Sequence, residues 1–179
     1  MASGQDGHPL PRLAARLFNI RVEEAPAVIA GLLIFFLLFT GYFMLRPVRE
    51  TMGVAGGVDN LQWLFTGTFL ATLAVLPLFG WLASRVPRRR ILPAAYGFFV
   101  VNLLVFAALF ARTVDNVWVA RTFYIWLSVF NLVVISLAWS VLADVFSIAQ
   151  GKRLFGMIAG GASLGGLVGP GLGTLLVAP

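Results

Sequence analysis

The residues here with the means to do chemistry are few, and most are arginines set beside aromatic rings. Arg46 and Arg49 lie in the segment GYFMLRPVRETMG, Gly41 to Gly53. At helical spacing Phe35, Phe39, Tyr42 and Arg46 fall on one face, which places Arg46 at the mouth of an aromatic stripe. An arginine close to lipid faces a cavity, a partner or the headgroup interface. Snorkelling to the headgroups and an ion pair with Glu50, one turn on, are its alternative roles. A second face holds Arg121, Tyr124, Ser128, Asn131, Ile135 and Trp139, all within roughly a quarter of the wheel at about 100° per residue. Such a stripe on an apolar helix reads either as a water-accessible wall or as helix-to-helix hydrogen bonding. Tyr42, Arg46, Arg49, Arg121, Tyr124 and Asn131 together form a candidate site for a small anionic solute, because desolvated guanidinium groups bind phosphate bidentately and strongly.

The missing chemistry narrows the reading. The chain has no Cys and a single His, at position 8 in a polar segment. Thiolate metal sites, His clusters and charge relays are therefore not expected, and neither a metal nor a cofactor is called for. Glu50, Asp59, Asp115 and Asp144 sit at ends or in loops, and no carboxylate falls within an apolar run. A proton relay needs such buried groups, so any coupling carboxylates are expected after Pro179. A membrane enzyme is a weak reading for the same reasons. Gly151-Lys152 is not a phosphate-binding loop, since position 146, where that motif needs glycine, is Phe.

The elements that position these residues follow from composition. Hydrophobic residues make up 60% of the chain and charged residues 11%, against about 45–50% and about 25% in soluble domains. The excess must face lipid or other helices within it. Five runs approach the ~20 residues a spanning helix needs: 26–45, 61–84, 91–111, 117–143 and 154–177. Pro26 and Pro93 suit first helical turns. Pro47 is expected to stop the first span, while Pro77 and Pro170 lie inside spans. Residues 10–21 suggest a surface helix, with Leu13, Leu17 and Ile20 on one side and Arg12 and Arg16 one turn apart. Residues 1–25 thus form an amino-terminal segment and 26–179 a partial helical bundle.

Charge sets orientation. An interior amino terminus places Arg12, Arg16, Arg21, Arg85, Arg88, Arg89, Arg90, Lys152 and Arg153 on the cytoplasmic side. Arg46, Arg49, Arg112 and Arg121 fall opposite, a bias that favours this orientation. The net charge of +6 then belongs to cytoplasmic loops, and no nucleic-acid polymer is expected as a partner. The run GTLLVAP stops at the end of a span, which reads as the end of a fragment whose remaining spans lie downstream.

Two motifs lie within this frame. GWLASRVPRRRIL, Gly80 to Leu92, joins the second and third spans. It fits a plain basic cytoplasmic loop. It also resembles the signature loop of the major facilitator superfamily, G-x-L-a-D-R-x-G-R-(R/K), through Gly80, Leu82, Arg85, Arg88 and Arg89. Ser84 stands for the usual Asp and Pro87 for the usual Gly. The fifth run carries Gly161, Gly165, Gly169 and Gly173 at four-residue spacing, a flat ridge that lets helices approach closely. GGLVGPGLG, Gly165 to Gly173 and including Pro170, resembles the G-x-x-x-G-P-x-x-G motif of facilitator antiporters. A packing or dimer ridge without mechanistic content fits equally.

Two longer segments resemble a narrower branch. YFMLRPVRETMG (Tyr42–Gly53) and SVLADVFSIAQGKRLFGMIAGGASLGGLVGP (Ser140–Pro170) are similar to bacterial relatives of the ATP/ADP translocases. The sharper pattern is carried by Asp144, Phe146, Gly151, Lys152, Arg153, Leu154, Phe155 and Gly156. Arg-Pro stands here where those translocases carry Lys-Asp. The resemblance implies an all-α polytopic bundle, alternating access, a latch at Gly80, Arg85, Arg88 and Arg89, and a cavity lined by spans one, two, four and five. It also implies nucleotide-like exchange, with Arg46 or Arg49 on phosphates, in a bacterial inner membrane. The competing expectation is an assembly or accessory protein whose glycine ridge binds a partner helix.

Overall fold

The computed structural model describes residues 20–55, 60–112 and 116–177. They form five helices: α1 (Ala25–Ala55), α2 (Leu61–Arg85), α3 (Arg88–Arg112), α4 (Val117–Val145) and α5 (Ile148–Val177). No strand occurs among the described residues, and all five helices are long and apolar enough to cross a membrane. The architecture is an all-α bundle. The surface helix expected over residues 10–21 lies, apart from Ile20 and Arg21, outside the described residues.

Three boundaries differ from the sequence reading. Pro47 does not stop α1, which continues through it to Ala55. A proline removes one backbone donor and crowds the carbonyl four residues back, but a helix packed on neighbours accommodates this. The Thr51 hydroxyl donates to the Pro47 carbonyl at 3.0 Å. At 31 residues, α1 is roughly 46 Å long at ~1.5 Å per residue, longer than a ~30 Å hydrocarbon layer. Pro93 likewise lies inside α3, not in its first turn, since α3 already begins at Arg88.

The third difference is at α5, which starts at Ile148 rather than Leu154. Ser147 and Gln150 explain it. The Ser147 N–H donates to Gln150 Oε1 at 2.9 Å, and the Gln150 N–H donates to Ser147 Oγ at 3.4 Å. This reciprocal cap satisfies two of the donors that a helix start leaves open. It places Lys152 and Arg153 on a helix instead of in a loop. At α4, Asn116 Oδ1 accepts from the N–H groups of Trp118 and Val119 at 3.0 and 3.4 Å.

Packing is centred on α1 and α4. Val28 and Phe35 of α1, Ala138 and Leu142 of α4, Phe146, and Leu154 and Ile158 of α5 form one buried cluster. Phe99, Val133 and Val134 join α3 to α4, with Val75 and Phe79 of α2 packed against them. Phe106, Phe123 and Leu127 make a third cluster between α3 and α4. Large apolar side chains point outward from α2 and α3, among them Phe69, Leu73, Val101 and Leu104. In lipid such surface carries no hydrophobic penalty.

The closest approach is between α1 and α5. A Cβ at Gly161 would lie 2.3 Å from the Leu32 carbonyl oxygen, at Gly165 2.4 Å from that of Phe36, and at Gly169 2.7 Å from that of Thr40. In each pair the residue numbers differ by 129, the same separation that links Glu24 to Arg153. The helices therefore run parallel in one register for more than four turns. Glycine is required because its second hydrogen, not a methyl group, faces the neighbouring carbonyl, a geometry suited to weak Cα–H···O bonds. At Gly173 the nearest atom to a Cβ is 3.6 Å away, so the seam has loosened there. Pro47 and Pro170 both line the groove that opens between α1 and α5 at this end. The glycine ridge is thus filled by α1 of the same chain.

Candidate functional site

Arg46 and Arg49 leave α1 near the same end of the bundle but meet different surroundings. Arg46 stays half exposed, its side chain 50% accessible, with its guanidinium 5.6 Å from the centre of the Phe43 ring. Arg49 turns inward and its side chain is only 16% accessible. Its Nη1 donates to Ser128 Oγ of α4 at 3.1 Å. Its guanidinium carbon sits 4.9 Å from the centre of the Tyr124 ring. Ser128 is held in turn, donating to the Tyr124 carbonyl at 2.8 Å. Ser128 lies eleven positions into α4, roughly 17 Å along it.

Tyr124 is buried and works as a platform. Phe65 of α2 packs edge-on against it, ring centres 6.5 Å apart. Gly53 makes room for it on α1, since a Cβ there would come within 2.9 Å of the ring. Tyr42 lies two turns before Arg49 on the same face of α1 and packs edge-on against Phe43 at 5.3 Å. Asn131 is half buried on α4, close in angle to Ser128. The Arg49 Nε is buried and makes no hydrogen bond within the described chain. Buried polar groups are nearly always satisfied, and this donor is an exception among the described residues. Glu50 supplies an anion nearby: Oε1 pairs with Arg49 Nη2 and lies 4.0 Å from Arg46 Nε.

Arg121 is placed differently. It lies over the Trp118 ring at 5.2 Å and lines a pocket between α2 and α4 with Asn60, Trp63, Trp118 and Thr122. Trp139, from the same predicted stripe, packs on Phe35 and Phe155 with ring centres 4.7 and 5.5 Å away. The stripe thus divides between the arginine site at Tyr124 and Ser128 and the core at Trp139.

The basic segment Gly80 to Leu92 is mostly helical. Only Val86 and Pro87 interrupt it, between the end of α2 and the start of α3. Arg85 lies over the Trp81 ring at 5.1 Å. The Ser84 hydroxyl donates to the Trp81 carbonyl at 2.7 Å. A Cβ at Gly80 would meet nothing within 4 Å, so no described contact requires glycine there. The side chains of Arg88 and Arg89 are outside those described.

A second polar cluster joins the starts of α1 and α5. Glu24 accepts from Gln150 Nε2 at 3.0 Å and from Arg153 Nη2 at 2.7 Å on both carboxylate oxygens. The Arg21 N–H donates to Glu24 Oε2 at 3.0 Å. Because Gln150 Oε1 already accepts from Ser147, its amide must present NH₂ to the carboxylate. Glu24 is covered by these neighbours, 7% exposed, yet it stands at the very end of the bundle with little protein beyond. The Gln150 hydrogen bond, the Arg21 N–H and the Arg153 charge hold its carboxyl below the usual range, against a smaller opposing effect of burial.

The sequence reading had no means of joining Arg49 to Ser128 or Glu24 to Arg153. The Ser147-to-Gln150 cap, in contrast, is visible as a local S-x-x-Q pattern.

The family model of the Major Facilitator Superfamily matches residues 31–179. The chain belongs to the major facilitator superfamily. No curated protein and no solved structure matches it. Facilitators are secondary transporters, and this chain is accordingly an integral membrane protein of that class. In the segment whose sequence resembles the superfamily's loop, Ser84 stands where that pattern has Asp. That hydroxyl is engaged on its own helix, so a carboxylate-based relay has no counterpart at this position.

Proposed function

We propose that this facilitator carries a small anion bearing a phosphate group, by alternating access, with Arg49 as its principal cationic contact. The observation that carries the reading is the setting of Arg49. It is half-buried, fixed by Ser128 and the Tyr124 ring, and its Nε–H has no partner among the described residues. A guanidinium held this way recognises phosphate bidentately. Arg46 adds a second, more exposed cation at the mouth, and Arg121 a third on α4. The amino terminus is cytoplasmic in this reading, on the strength of the loop charges, and the membrane is a bacterial inner membrane. The resemblance of Asp144 to Gly156 to ATP/ADP translocases supports exchange of nucleotide-like solutes as the mode. Gly80, Arg85, Arg88 and Arg89 are the latch residues, and Gly165 to Gly173 the antiporter-like segment of α5.

The test is uptake by proteoliposomes containing the complete polypeptide. Arg49→Ala is expected to abolish uptake of phosphate-bearing anions without loss of expression, and Arg46→Ala to reduce it. Undiminished uptake in Arg49→Ala sinks the assignment.

A further inference from the structure

Glu50 stands where an anion would bind, and the proposed substrate site gives it no role so far. Its Oε1 pairs with Arg49 Nη2 and faces Arg46 Nε at 4.0 Å, so one carboxylate oxygen is shared by two guanidinium groups. Arg49 is anchored to the bundle through its other edge and its face, by Ser128 and Tyr124. The edge turned to Glu50 is held by no other described residue. Glu50 itself is 52% accessible and bonds to no part of α4. Ion pairs this exposed are weak, so its carboxylate is displaceable while Arg49 stays in place.

We infer that Glu50 is a specificity-determining residue, a tethered carboxylate that competes with the solute for Arg49 and Arg46 and thereby rejects monocarboxylates in favour of phosphate dianions. The inference rests on the anion-transport reading above. Tethering gives Glu50 an effective concentration of millimolar order or more at the arginines. An incoming monocarboxylate makes only the bond that Glu50 already makes, and it loses to the tether. A phosphate dianion brings close to two charges and three acceptor oxygens, enough to engage both guanidinium groups at once. Two arginines against one glutamate leave a net positive site, so anions are still drawn in.

Calorimetric titration of the complete polypeptide with inorganic phosphate and with acetate tests this. The unaltered protein is expected to bind phosphate well and acetate weakly. Glu50→Gln should tighten acetate about tenfold or more, a change well within calorimetric reach, and shrink the preference for phosphate. Glu50→Asp keeps the carboxylate and should keep the preference. Because Glu50 is half exposed, both variants are expected to elute as folded protein on size exclusion. Unchanged acetate affinity in Glu50→Gln, or weakened phosphate binding, overturns the inference. Loss of phosphate binding in Arg49→Ala with selectivity unaltered in Glu50→Gln leaves the anion site standing and removes Glu50 from it. Phosphate binding that survives Arg49→Ala, or is absent from the unaltered protein, overturns the anion site itself and the inference with it.

Discussion

Arg46 and Arg49 are the same residue three positions apart on one helix, and their neighbours make them different. Arg46 keeps half its surface accessible beside Phe43, while Arg49 is bound to Ser128 and stacked on Tyr124. Lysine has neither the fork nor the flat face that this arrangement uses. Arg49→Lys is therefore expected to lower anion uptake by roughly 10- to 100-fold, the loss of one or two charge-assisted bonds, and Arg46→Lys by much less. Equal uptake by the two variants in proteoliposomes would count against the stacked, bidentate role of Arg49.

Glu24 shows the same dependence on neighbours in its titration. Its folded-state carboxyl lies below the ordinary value of 4.5. A lowered carboxyl contributes stability that is fully present above the unfolded value and is lost as pH falls through the folded one. Acidification below about 4.5 should accordingly weaken the junction of α1 and α5, as followed by thermal unfolding in detergent. Glu24→Gln should flatten that acid-side slope. An unchanged slope in the variant would place the acid sensitivity elsewhere.

At the scale of elements, the parallel seam between α1 and α5 determines the shape of the bundle. Gly161, Gly165 and Gly169 meet backbone carbonyls, which cannot swing away as a flexible side chain can. Gly161→Ala or Gly165→Ala is expected to cost about 2 kcal/mol or more through forced separation of the helices. Gly173→Ala, where a Cβ finds only ordinary contacts, should be close to neutral and gain some helix propensity, up to ~1 kcal/mol. Thermal unfolding of the complete polypeptide compares them directly, and similar melting temperatures for Gly161→Ala and Gly173→Ala would refute the seam. The prolines belong to this scale too. Pro47 looks like a stop when its own segment is read alone, yet α1 passes through it, because α5 packs on the helix before the proline and α4 holds it beyond, at Met52 and Gly53.

At the scale of the molecule, α1, α3 and α5 all start at one end of the bundle, and Glu24 and Arg153 close that end. The cytoplasmic placement proposed for it predicts opposite labelling of two exposed positions. In a background otherwise free of cysteine, Val117→Cys should react with an impermeant maleimide in intact cells, and Ala149→Cys only after permeabilisation. The reverse pattern would invert the orientation while leaving the bundle unaffected.

Much of this was legible in the residues alone. Five apolar runs of spanning length and too few charges for a soluble surface determine a helical membrane bundle, because both signals are local and continuous apolar runs of ~20 residues suit a spanning helix rather than a barrel strand. The glycine ridge was readable for the same reason, as a short pattern on a single segment. What only the tertiary structure decided is which side chains meet. Arg49 and Ser128 are 79 residues apart, Glu24 and Gln150 126, and Glu24 and Arg153 129. No local period relates positions so distant. The partner of the glycine ridge and the arginine that turns inward follow from how α1 lies between α4 and α5, a packing outcome that composition and spacing leave open, whereas Glu50 beside Arg49 and one turn from Arg46 is a local pairing.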